Sequence, residues 1–373
     1  MAADHRPKPR RWALAAPAAL YAVLVFGRAT ANTFWLDDYG WVRNAILASR
    51  EPIALLALEA GFFRPVVNLV FLANYLLSGL DPAGYYWVNI ALHVINASLV
   101  ATLAYRLSGH NGIAAGVAGL LFAGAVGNYG EAVIWICGRT ELVATAFGLS
   151  TLLLYLRFAE TGRRRFLACA TATYALALLS KESAVVWLPA IVLLDLTANR
   201  RLLPPARRLL RVALFAARYA PFAALLVAYA AYQYAVQSGH GLYADHYRLG
   251  WHALANWVEY ISLMFVPVTA RSTIIALPGS AQTALAVLAW GVRLAILASV
   301  AALLAFRAPA HVRFAALFTL MAIVPYSLFD WKTTTRYLYI PSVGLAIALG
   351  WAIEQAWALA AGIGRPQIGR AHV

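Results

Sequence analysis

An all-α, polytopic integral membrane fold is the architecture this sequence predicts, and three observations carry it: apolar content, the length of the apolar runs, and the places where arginine falls. Of 373 residues 62% are hydrophobic and 12% charged, with a mean hydropathy of +0.69. That is more apolar surface than a soluble fold of this length can bury, so a bilayer must solvate most of it. Ten apolar runs are candidate spans, at 12–26, 86–105, 113–126, 134–156, 166–179, 184–196, 212–236, 281–306, 314–329 and 338–358. Several are shorter than the ~20 residues a helix needs to cross a ~30 Å hydrocarbon core, so flanking polar residues must extend them. Two further stretches, 65–80 and 251–268, would bring the number to twelve if both crossed.

Charge decides between these counts. The formal net charge is +15, from 30 Lys plus Arg against 15 Asp plus Glu. In a soluble protein such a balance would suggest nucleic acid, but here the basic residues lie in short runs between apolar segments, which is a topological pattern. Arg163, Arg164 and Arg165, then Arg200, Arg201, Arg207, Arg208 and Arg211, share the inner side with Arg6, Lys8, Arg10 and Arg11 only if 65–80 does not cross. Arg307 and Arg313 join Arg365 and Arg370 there only if 251–268 also stays on the outer side. Both stretches are therefore read as interfacial or re-entrant helices.

The resulting organisation is a basic cytoplasmic tail at 1–11, one transmembrane domain at 12–362 with a first outer loop at about 30–84, and a second cytoplasmic tail at 363–373. The basic start, the apolar run and Ala29-Thr30-Ala31 also have the pattern of a cleavable signal peptide; cleaved or kept, the next loop lies outside. The outer side then receives Asp37, Asp38, Arg64, Glu131, Lys181, Glu182, 240–248 and 330–336, while the inner side receives mostly arginine. Cys137 and Cys169 lie in separate apolar segments without metal-ligand or disulfide spacing and are expected to be packed thiols.

The strongest local signal is Phe34-Trp35-Leu36-Asp37-Asp38-Tyr39. Adjacent carboxylates there can hold a cation, accept a proton from an attacking hydroxyl, or cap a helix from Tyr39 to Leu47. Successive helical residues point about 100° apart, so the two rarely face one reacting atom. Glu131, Trp135 and Arg139 are spaced four apart and would share one face of a continuous helix, as an anion-binding wall or as an ion pair of Arg139 with Glu131 or Glu141. An unpaired Arg at a span's centre costs about 2.5–3.5 kcal/mol, so Arg139 must have a partner. Lys181 and Arg336 can meet a phosphate at membrane depth or snorkel to the interface. Asn89, His93 and Asn96 form a polar stripe that cannot face lipid and joins helices more readily than it binds metal. Asp195, near an inner end, is expected at the interface.

Seven short motifs in this order resemble the GT-C superfamily of membrane glycosyltransferases, in particular bacterial relatives of the tetratricopeptide-containing O-mannosyltransferases. They are Asp37-Asp38; Phe63-Arg64-Pro65 with Asn74-Tyr75 and Gly79-Leu80; Gly84-Tyr85-Tyr86 leading to Asn89 and Leu92-His93; Glu131-Ala132-Val133; Gly138-Arg139-Thr140-Glu141-Leu142; Leu179-Ser180-Lys181-Glu182; and Arg336-Tyr337-Leu338-Tyr339-Ile340-Pro341-Ser342. Each is weak alone, and together they run along nearly the whole chain. The resemblance implies inverting transfer of mannose or another hexose from a polyprenyl-phosphate donor to an extracytoplasmic acceptor, in the inner (plasma) membrane with the active site on the periplasmic side. It implies Asp37 as the base for the acceptor hydroxyl, Asp38 as its support or a cation ligand, and Glu131 as the second acidic position. A divalent cation, Mg or Mn, would fall to Asp38 and Glu131. Arg139, Lys181 and Arg336 become donor contacts, and Arg64, His93, Glu141, Glu182 and Tyr337 complete the substrate-binding set. Animal members carry a tetratricopeptide array after the membrane region, whereas this sequence stops soon after Trp357, which leaves the acceptor open among a glycan, a lipid and a protein. A lipid transporter or flippase would instead show a pseudo-repeat and charges continuing toward the inner side, and neither is visible.

Overall fold

The computed structural model describes residues 12–59, 61–198, 208–237, 246–265, 308–330 and 334–362, with scattered positions between 279 and 298. Both expected tails and most of the run at 281–306 lie outside the described residues. What is described is almost entirely helical: α1 (Trp12–Phe26), α2 (Asp38–Ala48), α3 (Pro65–Ser78), α4 (Pro82–Leu107), α5 (Gly112–Ala123), α6 (Glu131–Ile134), α7 (Arg139–Thr161), α8 (Arg164–Leu178), α9 (Trp187–Thr197), α10 (Arg208–Gln237), α11 (Trp251–Phe265), α12 (Ala310–Ser327) and α13 (Pro341–Ala360). A two-residue hairpin, Leu58–Glu59 against Phe62–Phe63, precedes α3.

Four helical segments among the described residues are long and apolar enough to cross a membrane: Pro82–Leu107, Ile136–Thr161, Ala310–Ser327 and Pro341–Ala360. This corrects the expected ten. Apolar runs in the sequence become short helices wherever a turn interrupts them. Left-handed Ala125, Gly127 and Asn128 follow α5, whose 12 residues reach only ~18 Å. α3 has 14 residues and reaches ~21 Å against a ~30 Å core. α10 is 30 residues long but carries Arg208, Arg211 and Arg218 among its apolar positions.

α4 is the central post, packed by α1, α5 and α7; α13 lies on α5 and α12, α8 on α7, and α11 on α12. Small residues let these backbones approach, as expected where lipid gives no hydrophobic drive between helices. Ala97 and Ala101 of α4 meet Gly119 of α5, and Ala114 and Ala118 of α5 meet Gly350 of α13. Polar groups inside the bundle find partners there. His93 is fully buried, with Nδ1 2.8 Å from the Tyr339 hydroxyl and Nε2 3.1 Å from the Ala123 carbonyl. Asn96 donates to the Leu142 carbonyl at 2.9 Å and to Tyr339 at 3.0 Å. Asp195, expected at the interface, is instead buried and accepts bonds from the hydroxyls of Tyr155 and Tyr219. Of the two thiols Cys137 is buried and Cys169 exposed, so only the first is packed.

A second, smaller core lies over one end of the bundle, where Trp41, Val42 and Ala45 of α2 and Val67 and Phe71 of α3 pack on Tyr85 and Tyr86 at the start of α4. Trp41 stacks on Phe71 at 5.1 Å. The stretch expected as the first outer loop is thereby a fixed layer on the bundle rather than a free connection. The opposite end carries exposed Arg163, Arg164 and Arg165 and the Arg106–Glu160 ion pair joining α4 to α7.

A close approach of two helix backbones gives a test. A Cβ on Gly344 of α13 would lie 2.2 Å from the Ala315 carbonyl oxygen and 2.4 Å from Thr319 Oγ1. Gly344→Ala should therefore cost about 1–3 kcal/mol by overpacking, seen as a lowered Tm in lipid nanodiscs; an unchanged Tm would contradict this packing.

Candidate active site

The site is built where the helical path breaks between α6 and α7. Trp135 is extended (φ −109°, ψ 127°), and a tight turn, Ile136–Gly138, re-enters the helix at Arg139. Asn89 holds this break by donating to the carbonyls of Val133, Trp135 and Ile136 at 3.3, 3.0 and 3.4 Å. Gly138 is required, because a Cβ there would fall 2.1 Å from the Ala132 carbonyl oxygen. The stripe of Glu131, Trp135 and Arg139 expected on one helical face does not form.

The break separates the charges of that stripe. Arg139, fully buried, donates to Asn89 Oδ1 at 3.0 Å, Asn74 Oδ1 at 2.8 Å and the Tyr85 carbonyl at 2.8 Å, with its guanidinium 4.4 Å over the Phe71 ring. Its described partners are neutral, and the expected ion pair with Glu131 or Glu141 is absent. Both carboxylates go elsewhere. Glu131 accepts from Arg336 Nη1 at 3.0 Å, from the Arg336 amide at 3.2 Å and from Thr335 at 3.0 Å. Glu141 takes Lys181 at 2.7 Å and the Tyr326 hydroxyl at 3.0 Å.

The aspartates divide in the same way. Asp38 is buried; its Oδ2 accepts from the Trp35 amide at 2.9 Å, and its Oδ1 from the Cys137 amide at 3.0 Å and thiol at 2.9 Å. Burial pushes its carboxyl above the ordinary aspartate value, while the bonds from Cys137 and Trp35 work against that rise. Asp37 is exposed and stands at the N-cap of α2 without a side-chain cap bond. The capping alternative is therefore replaced by a tie between the first outer loop and the α6–α7 break, and the helix begins at Asp38 rather than Tyr39.

From there the charged groups run in sequence across this end of the bundle. The Trp35 ring meets Trp135 at 6.3 Å; Arg336 lies 4.5 Å over Trp135 and 5.0 Å over Tyr337; Lys181 lies 5.3 Å over the other flank of the cluster at Tyr337. Arg64 is bonded twice to Glu182, at 2.6 and 3.1 Å, and the Val66 amide donates to the Leu179 carbonyl, which seats the start of α3 beside Lys181. The Arg336 and Glu131 side chains keep 24% and 34% of their surface, so solvent or a ligand reaches them, whereas Lys181 and Glu141 are sealed at 9% and 0%. Phe329 stacks on Tyr337 at 6.4 Å, and beside it Asp330 binds His246 and Arg248; positions 238–245 and 331–333 of those outer segments lie outside the described residues.

Asp37, Asp38, Arg64, Glu131, Glu141, Lys181, Glu182, Arg336 and Tyr337 are thus gathered at one end of the bundle. Arg139 belongs to the layer beneath them, and His93 does not belong to the surface at all: both its ring nitrogens are engaged inside the bundle, so it joins helices rather than meeting a substrate. Sequence reading missed Cys137 as the partner of Asp38, Tyr326 as that of Glu141, and Asn74 with Tyr85 as those of Arg139. An asparagine in the apolar stretch of α3 was the one available signal, since such a group needs a partner inside. The described residues do not build a cation site at Asp38 and Glu131: the first has its oxygens on amides and a thiol, the second on Arg336 and Thr335, and among the described residues no three His, Cys, Asp or Glu side chains gather around a point.

An α-helical membrane protein with a cluster of paired charges and aromatic rings at one end of its bundle is the class that this fold and site define. No family model matches the chain. Segments of it are similar to curated proteins: 39% identical over 99 residues to protein O-mannosyl-transferase tmtc2 of Xenopus laevis, covering 26% of this chain and 12% of that protein; 38% over 142 residues to protein O-mannosyl-transferase Tmtc2 of Drosophila melanogaster, covering 36% and 15%; and 29% over 206 residues to protein O-mannosyl-transferase Tmtc1 of Drosophila melanogaster, covering 48% and 24%. The chain therefore matches less than a quarter of the length of these relatives.

The sealed pair supplies a test. Glu141→Gln leaves Lys181 buried beside a neutral amide and should destabilise by roughly 3–5 kcal/mol. Adding Lys181→Met should restore much of that loss, as read by Tm or by denaturant midpoint in detergent micelles. Equal Tm for the single and double variants would mean that the two charges do not depend on each other.

Proposed function

We propose that this protein is a membrane glycosyltransferase that moves a hexose, mannose in the first instance, from a polyprenyl-phosphate donor to an acceptor hydroxyl with inversion. The observation that carries the reading is the meeting of an exposed carboxylate, Asp37, with partly exposed cation–carboxylate pairs, Arg336–Glu131 and Arg64–Glu182, at one end of an apolar bundle. Segments similar to proteins named O-mannosyl-transferases support the same class.

In this reading the acceptor oxygen attacks the anomeric carbon, its proton passes to Asp37, and the bond from that carbon to the phosphate oxygen breaks. Polyprenyl phosphate leaves with the bonding pair, and the charge it gains needs cations at the membrane surface. Arg336 and Arg64 supply planar donors suited to phosphate oxygens, each exchanging part of its bond to Glu131 or Glu182 for the ligand. The Arg336 guanidinium lies over both the Trp135 and the Tyr337 ring, so the exchange does not require the side chain to be reordered. Asp38 acts through its ties, fixing the turn that presents Asp37.

The domain that does this extends over 12–362, with its site on the extracytoplasmic face of the plasma membrane and its basic tails inside; the arginines at the opposite end of the bundle support that orientation.

Losing a general base removes ~10²–10⁴ in rate. Asp37→Asn should therefore abolish release of polyprenyl phosphate from a radiolabelled polyprenyl-phosphate mannose, in lipid and with a crude envelope extract as acceptor source, while its Tm stays that of the wild type. A fully active variant would remove Asp37 as the base, and a wild type that never consumes the donor would remove the reading itself.

A further inference from the structure

Beside the exposed carboxylate in the chain lie three large side chains that the described residues leave mostly exposed. Trp35, Leu36 and Tyr39 keep 63%, 60% and 62% of their surface, and Asp37, between them in the chain, is exposed as well. Arg43, one helical turn beyond Tyr39, also points to solvent. Exposed aromatic rings in a cluster mark interaction sites more often than isolated apolar residues do.

The cluster is rigid. The Trp35 amide donates to Asp38, the Tyr39 hydroxyl donates to the Phe34 carbonyl at 3.2 Å, and Phe34 itself lies edge-on to Tyr85 at 5.2 Å. Leu36 adopts φ +47°, in the left-handed region that a branched side chain enters only under constraint. The fold thus holds these groups in one arrangement without a partner, which is the preorganisation a binding surface needs. Through its edge contact with Trp135, the Trp35 ring also adjoins the ring beneath Arg336.

We propose that Trp35, Asp37 and Tyr39 form a platform for a pyranose ring, so that the acceptor is a saccharide; this deepens the glycosyltransferase reading and rests on it for the word acceptor. A pyranose presents a patch of C–H groups bearing slight positive charge, which suits the negative face of an aromatic ring, and a rim of hydroxyls, which suits a carboxylate that only accepts. Two exposed rings flanking one exposed carboxylate in sequence offer both. Burial in the hydrocarbon of a bilayer is the poorer occupancy, because sinking Trp35 and Leu36 there would draw the Asp37 charge with them.

The test is binding without a donor, so that it stands apart from turnover. Full-length protein in nanodiscs is titrated with methyl α-mannopyranoside, methyl α-glucopyranoside and methyl α-galactopyranoside, with saturation-transfer NMR as the readout. At least one glycoside should bind, Trp35→Ala should weaken it about tenfold, as expected for loss of an aromatic anchor, and Leu47→Ala, on the far end of α2, should leave it unchanged. The proposal is overturned if none of the three glycosides binds, if Trp35→Ala binds as the wild type does, or if the Trp35 fluorescence (wild type minus Trp35→Phe) is quenched by lipids brominated on their acyl chains. A serine- and threonine-rich peptide that binds through Trp35 where the glycosides do not would overturn it equally. Donor consumption with no glycoside binding would sink the platform and leave the transferase; glycoside binding through Trp35 with no donor consumption would do the reverse.

Discussion

The amide side chain of Asn89 keeps a helix from closing, and the separation of Glu131 from Arg139 follows from that. A continuous helix through 131–161 would satisfy its own carbonyls and carry Glu131, Trp135 and Arg139 along one face. Here the carbonyls of Val133, Trp135 and Ile136 turn to Asn89 instead, and the Cys137 amide turns to Asp38. Gly138 permits the turn because its α-carbon passes against the Ala132 carbonyl with no room for a side chain. Asn89 has a second task with its own oxygen, which accepts from Arg139. One asparagine thus fixes the end of α6, the start of α7 and the guanidinium between them.

The electrostatics follow from burial. Charge is tolerated in an apolar bundle when it is matched at short range or supplied with enough dipoles. Lys181 and Glu141 use the first means, at 2.7 Å with a tyrosine hydroxyl added. Arg139 uses the second, with two asparagine oxygens, a backbone carbonyl and the face of Phe71. The two solutions have different consequences for chemistry. A cation solvated by neutral dipoles leaves the nearby carboxylates free for other partners, and Glu131 accordingly meets Arg336 from the far end of the chain. Arg336–Glu131 and Arg64–Glu182 keep part of their surface, as do the more exposed pairs of Asp330 with His246 and Arg248, and these are the charges a ligand can reach at this end.

What the sequence made legible was the grouping, and what it concealed was the wiring. Topological charge rules bring Asp37, Arg64, Glu131, Lys181 and Arg336 to one end of the molecule, because arginine-rich loops must alternate with poorer ones, and the structure gathers these residues there. Partners were harder to read. Helical spacing pairs Arg139 with Glu131 only if the helix is unbroken, and the break is set by tertiary bonds from Asn89 and Asp38, residues 42 and 93 positions upstream of Glu131. The number of spans suffered in the same way: apolar runs at 113–126 and 184–196 have the composition of spans, yet turns at Gly124 and after Lys181 limit the helices to Gly112–Ala123 and Trp187–Thr197. His93 shows the converse. Its place in the polar stripe reads as joining helices, and only the resemblance puts it at the substrate; its position on the face of α4 toward Ala123 of α5 and Tyr339 commits both ring nitrogens to the interior.

The adjacent aspartates bring these threads together. Neighbouring positions at a helix start diverge by about 100°, so once one carboxylate turns inward its neighbour must turn out. Asp38 is the one turned inward, and its oxygens are consumed by the Trp35 amide and by Cys137. Those bonds anchor the segment before α2 to the α6–α7 break, and the neighbouring Asp37 is left exposed. A buried carboxylate and an exposed one therefore cannot exchange places here: among the described residues the Asp38 oxygens are taken up by the Trp35 amide and Cys137, while Asp37 stands open. The motif is better understood as one anchor and one exposed group than as a pair acting on a common atom.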